Sequence, residues 1–319
     1  MVSPTRPQTG LDLVYFGLFD NCNARCNMCD CWLLPRSTLG VEHYREVLDK
    51  VLELAPKSLR FTGGEPLLLH GLSELVRRAT DAGTRVSVIS NGRVLASKVA
   101  ELAGAGCQEV VLSIDAVGAR HDTIRDTPQL FDRCVSAMRR MHEVGLPFGV
   151  NSVLQRIGID DLEELGDVLL SQPRLPDWWH LIPIRGAAEQ LPTPEQVRRA
   201  TAVIGRLRVR CADAGVQLIA REEGFAEDDS PHPCSVPTFT AYVRADTGDV
   251  FGCNMLVYAD APIGNLLTWR PRDAWNSLNA LSLRARCASG TNSACGRCDV
   301  SSRVMNHFLR ERATAVEVS

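Results

Sequence analysis

The sequence lacks an apolar run that could cross a bilayer, a large excess of either charge, and a secretion signal. Its hydrophobic segments are far shorter than the roughly 20 residues that a transmembrane helix needs. Residues 1–10 are rich in Pro and Thr and contain no apolar segment of the kind found in signal peptides. The net charge of −3 and the pI near 6.2 indicate no basic surface for nucleic acid. We therefore expect a cytoplasmic protein with neither a membrane nor a nucleic-acid partner.

Cysteine, in contrast, is well represented, with twelve in the chain of 319 residues. In a reducing compartment, so many cysteines argue against a disulfide framework and favour metal binding. They are unevenly spread, with four between Cys22 and Cys31 and five between Cys234 and Cys298. The other three resemble small buried hydrophobic residues: Cys107, Cys134 and Cys211. The two groups are therefore the candidate metal sites.

Strand-like and helix-like segments alternate along the first two thirds of the chain. Short apolar segments typical of strands occur at residues 12–19, 58–62, 85–90, 109–114, 148–154 and 178–184. Such alternation predicts an α/β fold with a parallel sheet and right-handed crossovers. Six units are too few for an eightfold barrel, so we expect a partial (β/α)6 barrel over residues 1–220. Residues 221–319 are expected to form a small module with a hairpin at 240–252 and a helix at 301–312.

Unusual polar residues follow the predicted strands, at the sheet edge where parallel α/β folds bind ligands. Along the chain they are the first cysteine group, Gly63-Gly64-Glu65-Pro66, Ser90-Asn91-Gly92, Ser113 and Asp115, Asn151, and Arg185. Several of these motifs alone would also fit a simple turn. A purely structural role would not explain why all of these motifs lie at the same edge of the sheet. We therefore expect a ligand site at this edge, which we call the mouth of the barrel.

The first cysteine group has the spacing C-x3-C-x2-C at Cys22, Cys26 and Cys29, and the GGEP motif follows the second predicted strand. Together these motifs resemble the radical S-adenosylmethionine (SAM) superfamily over most of the chain. Met28 departs mildly from that pattern, because the family often has an aromatic residue there. The resemblance implies a [4Fe–4S] cluster with three thiolate ligands and one open iron that binds SAM. A structural zinc site with Cys31 as fourth ligand is the alternative.

The resemblance also implies the residues that contact SAM. Gly63 and Gly64 would let the backbone approach the ligand closely, and Glu65 and Pro66 complete that motif. Three further residues fall where the family contacts the ribose, methionine or carboxylate parts of SAM: Ser113, Asp115 and Asn151. One-electron cleavage of SAM would give methionine and a 5′-deoxyadenosyl radical that abstracts hydrogen from an unactivated carbon.

The second cysteine group is similar to the auxiliary module of SPASM/twitch radical SAM enzymes. Cys234 is followed by Gly248 and then, in a G-x4-C pattern, by Cys253, while Cys295 and Cys298 form a C-x2-C pair. No cysteine follows that pair, which implies one auxiliary [4Fe–4S] cluster, as in the shorter twitch form. A structural zinc ribbon is the alternative, and Cys287 could replace one ligand.

The expected substrate follows from the start of the chain and from the resemblance. Only about ten residues precede the first predicted strand, which favours a small substrate over a peptide. The pattern resembles twitch dehydrogenases of aminoglycoside assembly, which implies dehydrogenation of a carbinol in a sugar, aminocyclitol or nucleoside during antibiotic biosynthesis. Decarboxylation of a cytosylglucuronate-like sugar acid, peptide maturation and an iron–sulfur electron carrier are the alternatives. His180 and Arg185 are the candidate catalytic residues, and a flavodoxin or ferredoxin-type protein is the expected reductant.

Overall fold

A computed structural model describes residues 11–18, 21–33, 36–220, 232–257, 259–298 and 306. The predicted helix at 301–312 lies outside these residues, except for Asn306. No helix in the described part of the chain is long and apolar enough to span a membrane.

The fold is built on one sheet with the strand order β10-β9-β8-β1-β2-β3-β4-β5-β6-β7. Its strands are β1 Leu13–Gly17, β2 Ser58–Thr62, β3 Arg85–Ser90, β4 Glu109–Ser113, β5 Phe148–Leu154, β6 Trp178–Pro183, β7 Gln217–Ile219, β8 Thr240–Arg244, β9 Asp249–Phe251 and β10 Gly264–Asn265. Strands β1 to β7 pair in parallel, each with the next along the chain. The predicted α/β architecture with a parallel sheet is confirmed.

The helices connect the parallel strands and continue into the C-terminal part. They are α1 Val41–Leu52, α2 Leu72–Asp81, α3 Leu95–Gly104, α4 Gly118–Arg125, α5 Leu130–Val144, α6 Leu162–Leu170, α7 Pro194–Asp213, α8 Val236–Phe239, α9 Pro271–Trp275 and α10 Leu278–Ala288. Local sequence explains several ends. A capping box between Thr193 and Gln196 starts α7, with Pro194 at its first position. Gly145, with φ of 71°, ends α5.

Two elements within the first 220 residues were absent from the sequence prediction, and beyond residue 220 the prediction also lacked α8, α9, α10 and β10. Helix α4 buries only His121, Ile124 and Arg125, so it lacks the apolar periodicity by which helices are recognised. Strand β7 is only 3 residues long.

Alternation along the strands separates an apolar face from a polar one. In β2, Leu59 and Phe61 are fully buried, and Phe61 packs edge to face on Phe16 at 5.6 Å between ring centroids. Arg60 lies on the opposite face, where it donates hydrogen bonds to Ser87 of β3 and to Glu109 of β4. The parallel strands therefore present a polar inner surface beneath the predicted mouth.

The sheet continues across the predicted boundary at residues 220 and 221. Strand β8 pairs in parallel with β1 from Leu13 and Thr240 to Gly17 and Arg244, and it also forms an antiparallel hairpin with β9. The hairpin agrees with the sequence prediction. The division into two domains stays a prediction.

Candidate active site

The first cysteine group lies on the loop that follows β1. Cys26 is buried, whereas Cys22 and Cys29 are half-buried. The loop is fixed to the end of α4 by backbone hydrogen bonds from Arg25 to Arg125 (3.3 Å) and from Asn27 to Ile124 (2.9 Å). The helix that sequence patterns missed therefore supports the three cysteines.

Nitrogen donors lie close to two of the sulfurs. Asn91 Nδ2 is 3.7 Å from Cys22 Sγ, and Arg125 Nη1 is 4.0 Å from Cys26 Sγ. Hydrogen bonds and positive charge of this kind stabilise the thiolate form that binds iron. Asn91 also donates to Asn23 Oδ1 at 2.8 Å, which places the end of β3 against the cysteine loop.

The thiols differ in acidity because their surroundings differ. Burial raises the pKa of Cys26 to about 11, although the nearby Arg125 partly opposes this effect. Burial likewise raises the pKa of Cys22. A hydrogen bond from Cys31 lowers the pKa of Cys29 to about 6. Cys31 therefore contacts one member of the predicted ligand set.

Asp115 and Arg125 form a buried ion pair beside Cys26. Arg125 donates from Nε to Asp115 Oδ2 at 2.7 Å and from Nη2 to Oδ1 at 3.1 Å, and the Val153 N–H also donates to Oδ1. Burial opposes the charge of Arg125, but Asp115 and Cys26 outweigh it and raise the pKa of the guanidinium. The Asp115 carboxylate holds Arg125 next to the cysteine loop. Its contact with SAM stays a prediction.

The imidazole of His121 completes this buried cluster. Its Nδ1 accepts a hydrogen bond from the Asp115 backbone N–H at 3.1 Å. Burial lowers the pKa of His121 to about 4, so the ring is neutral near pH 7. The charged side chains of this buried group are therefore the Arg125 cation and the Asp115 anion.

The GGEP motif forms a turn that joins three segments. Gly63 has φ of 121°, which favours glycine. The carboxylate of Glu65 accepts hydrogen bonds from the backbone N–H groups of Asn91 (2.7 Å) and Leu67 (3.2 Å), and the Glu65 N–H donates to the Asn21 carbonyl. Burial raises the pKa of Glu65 to about 7. Glu65 thus fixes the ends of β2 and β3 against the loop, while its role toward SAM remains a prediction.

Three predicted polar residues lie side by side on adjacent strands, Ser113 at the carboxyl end of β4 and Asn151 and His180 in the middle of β5 and β6. Ser113 pairs in register with Asn151, and Asn151 with His180. Ser113 and Asn151 are half-buried and His180 is buried, whereas Arg185 lies just beyond β6 and is exposed. On the other face of β6, Trp179 is buried and donates to Ser152 Oγ. The register therefore groups Ser113, Asn151 and His180 at one level.

The four predicted auxiliary ligands line a single cavity. Cys234, Cys253, Cys295 and Cys298 face it, together with His232 and Pro237. Cys287 does not line the cavity, but its Sγ is 3.7 Å from Cys295 Sγ. Asn292 Nδ2 lies 3.4 Å from Cys295 Sγ and 3.6 Å from Cys287 Sγ. A hydrogen bond from Cys287 lowers the pKa of Cys295 to about 7.

The donor set at both cysteine groups fits iron–sulfur chemistry. Each offers soft sulfur ligands with N–H groups nearby, and thiolates select iron–sulfur clusters or zinc over hard cations. Among the described residues, no three Cys, His, Asp or Glu side chains converge as a site for one metal ion. Cys22, Cys26 and Cys29 would hold the first cluster, and the cavity cysteines the second.

The first of these sites lies in a segment that matches a known protein family. Residues 17–169, which include Cys22, Cys26, Cys29 and the GGEP motif, match the Radical SAM superfamily. The chain contains a radical SAM domain. Similar proteins carrying this domain are enzymes, which agrees with the predicted enzymatic class.

Curated relatives share this radical SAM domain and, in part, the rest of the chain. The AdoMet-dependent heme synthase of Methanosarcina barkeri is 29% identical over 155 residues, covering 47% of this chain and 44% of that protein. The AdoMet-dependent heme synthase of Oleidesulfovibrio alaskensis is 25% identical over an alignment that covers 90% of this chain and 80% of that protein. The PqqA peptide cyclase of Streptomyces rochei is 29% identical, covering 74% and 67%.

Solved structures share the fold at low sequence identity. Streptococcus suis SuiB bound to S-adenosylmethionine gives a TM-score of 0.69 at 14% identity, covering 87% of this chain and 68% of that one. The enzyme anSMEcpe with bound AdoMet gives 0.69 at 16% identity, covering 91% and 86%. These likenesses support the fold described above.

The buried Asp115–Arg125 pair should contribute strongly to stability. Asp115→Asn leaves Arg125 buried without its anion, so we expect the free energy of unfolding to fall by about 3–5 kcal/mol. The exposed pair of Arg206 and Glu163 provides the control, and Glu163→Gln should lower the free energy of unfolding far less than Asp115→Asn does. Anaerobic urea unfolding measures both variants. Equal losses would contradict the role given to the buried pair.

Proposed function

We propose that the chain reductively cleaves SAM and uses the resulting radical to dehydrogenate a carbinol in a small polyhydroxylated substrate, namely a sugar, aminocyclitol or nucleoside. The observation that supports the oxidative outcome is that Cys234, Cys253, Cys295 and Cys298 line one cavity. A second cluster held there would provide an electron acceptor. Abstraction of one hydrogen atom leaves a carbon radical, which must lose a proton and an electron to become a carbonyl.

The cofactors would supply the radical step, and the protein would organise it. When bound, the open cluster and SAM would provide the 5′-deoxyadenosyl radical, and an auxiliary [4Fe–4S] cluster would take the remaining electron. The chain's own residues would orient the reactants. Gly63, Gly64, Glu65 and Pro66 would border SAM, and three residues on or just after β4 and β5 would contact it: Ser113, Asp115 and Asn151.

The substrate would bind at the carboxyl ends of the strands. His180 is buried beside Asn151 in the strand register, so we assign it the hydroxyl proton released on oxidation. Arg185, exposed beyond β6, would bind an anionic group of the substrate or SAM. A flavodoxin or ferredoxin-type protein would supply the electron for SAM cleavage.

Peptide modification is the second candidate function. It is favoured by the likeness to the PqqA peptide cyclase of Streptomyces rochei, which extends over 74% of this chain. The two functions differ in the molecule that loses hydrogen.

The deciding experiment is an anaerobic assay with SAM, dithionite and panels of aminocyclitols, sugars, nucleosides and short peptides, followed by product mass. A carbinol product lighter by two hydrogen atoms supports dehydrogenation. Loss of carbon dioxide from a sugar acid would establish decarboxylation instead, and a modified peptide would establish the second candidate.

The first cysteine group should be indispensable for SAM cleavage. Cys26→Ala removes one thiolate ligand, so we expect 5′-deoxyadenosine formation to be lost and iron to fall from about eight to about four per chain. Cys211→Ala is the control, because Cys211 is buried in the core on α7, and it should retain both properties. Chromatography of the nucleoside products and iron analysis measure the effects. An active Cys26→Ala enzyme would refute the ligand assignment.

The second cysteine group should affect turnover without abolishing cleavage. Cys298→Ala should again reduce iron from about eight to about four per chain. Because the first site is intact, 5′-deoxyadenosine should still form slowly, while substrate oxidation is strongly reduced. Comparing the amounts of 5′-deoxyadenosine and oxidised product tests this uncoupling. Unchanged iron content would count against the second cluster.

A further inference from the structure

Arg284 is a buried arginine in the C-terminal part of the chain. It lies on α10 with 1% of its surface exposed. Its Nε donates to the Pro237 carbonyl at 3.1 Å, and its Nη2 donates to the Trp275 carbonyl at 2.7 Å. The guanidinium carbon lies 4.1 Å from the centroid of the Trp275 ring. Both hydrogen-bond partners are neutral carbonyls.

Among the described residues, this buried cation has no anionic partner. Within the ranges that the structure describes, no carboxylate forms an ion pair with Arg284, and its Nη1 has no hydrogen-bond partner. Burial alone lowers the pKa of Arg284 to about 10, so the side chain remains charged near pH 7. Removing a cation from water is unfavourable unless a negative charge lies nearby. The two carbonyl groups and the indole ring around the guanidinium do not supply that charge.

The missing negative charge can be found at the cysteine cavity. Pro237, which accepts the hydrogen bond from Arg284 Nε, itself lines the cavity with Cys234, Cys253, Cys295 and Cys298. Residues three apart share a helix face, and both Arg284 and Cys287 are buried on α10. Cys287 Sγ in turn lies 3.7 Å from Cys295 Sγ. Pro237 thus connects Arg284 to the cavity on one side, and Cys287 followed by Cys295 lies between them on the other.

A [4Fe–4S] cluster held by four thiolates carries a net negative charge, and that charge grows when the cluster accepts an electron. A fixed cation in a medium of low dielectric constant therefore stabilises the reduced form more than the oxidised form. The surroundings of a cluster, including its net charge and exposure to solvent, are what set its reduction potential. A buried guanidinium beside the cavity is well suited to this role.

We propose that Arg284 is the counter-charge of the auxiliary cluster and raises its reduction potential, so that the cluster can accept an electron from the substrate radical. This proposal rests on the auxiliary cluster assigned under the proposed function. Arg284 acts through the electrostatic field and does not contact the reacting atoms.

The test measures the midpoint potential of the auxiliary cluster directly. All variants are made in the full-length Cys26→Ala protein, in which only the auxiliary cluster remains, and reduction is followed by electron paramagnetic resonance during a redox titration. Arg284→Gln removes the charge but keeps an amide donor for the carbonyls, and Arg284→Met removes both. Arg284→Lys keeps the charge. Arg272→Met, at an exposed arginine on α9, is the matched control.

We expect Arg284→Gln and Arg284→Met to make reduction of the cluster at least tenfold less favourable. For a one-electron couple this lowers the midpoint potential by ~59 mV or more. Arg284→Lys should recover most of the shift, and Arg272→Met should leave the potential unchanged. Loss of the cluster in both neutral variants but not in Arg284→Lys would also support the proposal, because charge is what distinguishes them.

Two results would overturn it. One is an intact cluster with unchanged potential in Arg284→Gln. The other is loss of the cluster in all three variants, which would show that Arg284 acts through shape. A Cys26→Ala protein with no cluster signal at all would instead refute the auxiliary cluster itself.

Discussion

Cys26 lies beside a guanidinium that is held in place by the fully buried carboxylate of Asp115. The arrangement joins three parts of the fold, because Arg125 ends α4, Asp115 follows β4, and the Val153 N–H of β5 also donates to the carboxylate. Backbone hydrogen bonds from the cysteine loop to Ile124 and Arg125 complete the connection. Residues 21–30 of the loop form no helix or strand, so these contacts help to fix the cysteines that the loop carries.

Glu65 plays a similar part on the opposite side of the loop. Its carboxylate is fully buried and accepts two backbone hydrogen bonds, and its N–H binds the Asn21 carbonyl just before Cys22. The loop is therefore fixed from two sides by buried acidic residues. In both cases the acid positions other protein groups, which is consistent with a site that must be preformed before its cofactor binds.

Much of this arrangement was predictable, and the exceptions have physical causes. The bounds predicted for β2, β3 and β5 agree with the structure, because each strand is a short apolar run between turn residues. The cysteine and GGEP motifs are local in sequence, so their placement at strand ends could be read directly. Arg125 could not be found in this way, because its contact with Cys26 joins residues 99 positions apart. The pairing of β8 with β1 is likewise a long-range contact with no local signal.

That strand pairing has a mechanical consequence. The segment Leu13–Gly17 leads into the first cysteine group, and its direct neighbour Thr240–Arg244 begins six residues after Cys234. Five consecutive residue pairs join the two segments through the backbone. The two cysteine groups thus adjoin neighbouring strands of one hydrogen-bonded ladder. A change in the spacing of these two strands would have to break backbone hydrogen bonds between them.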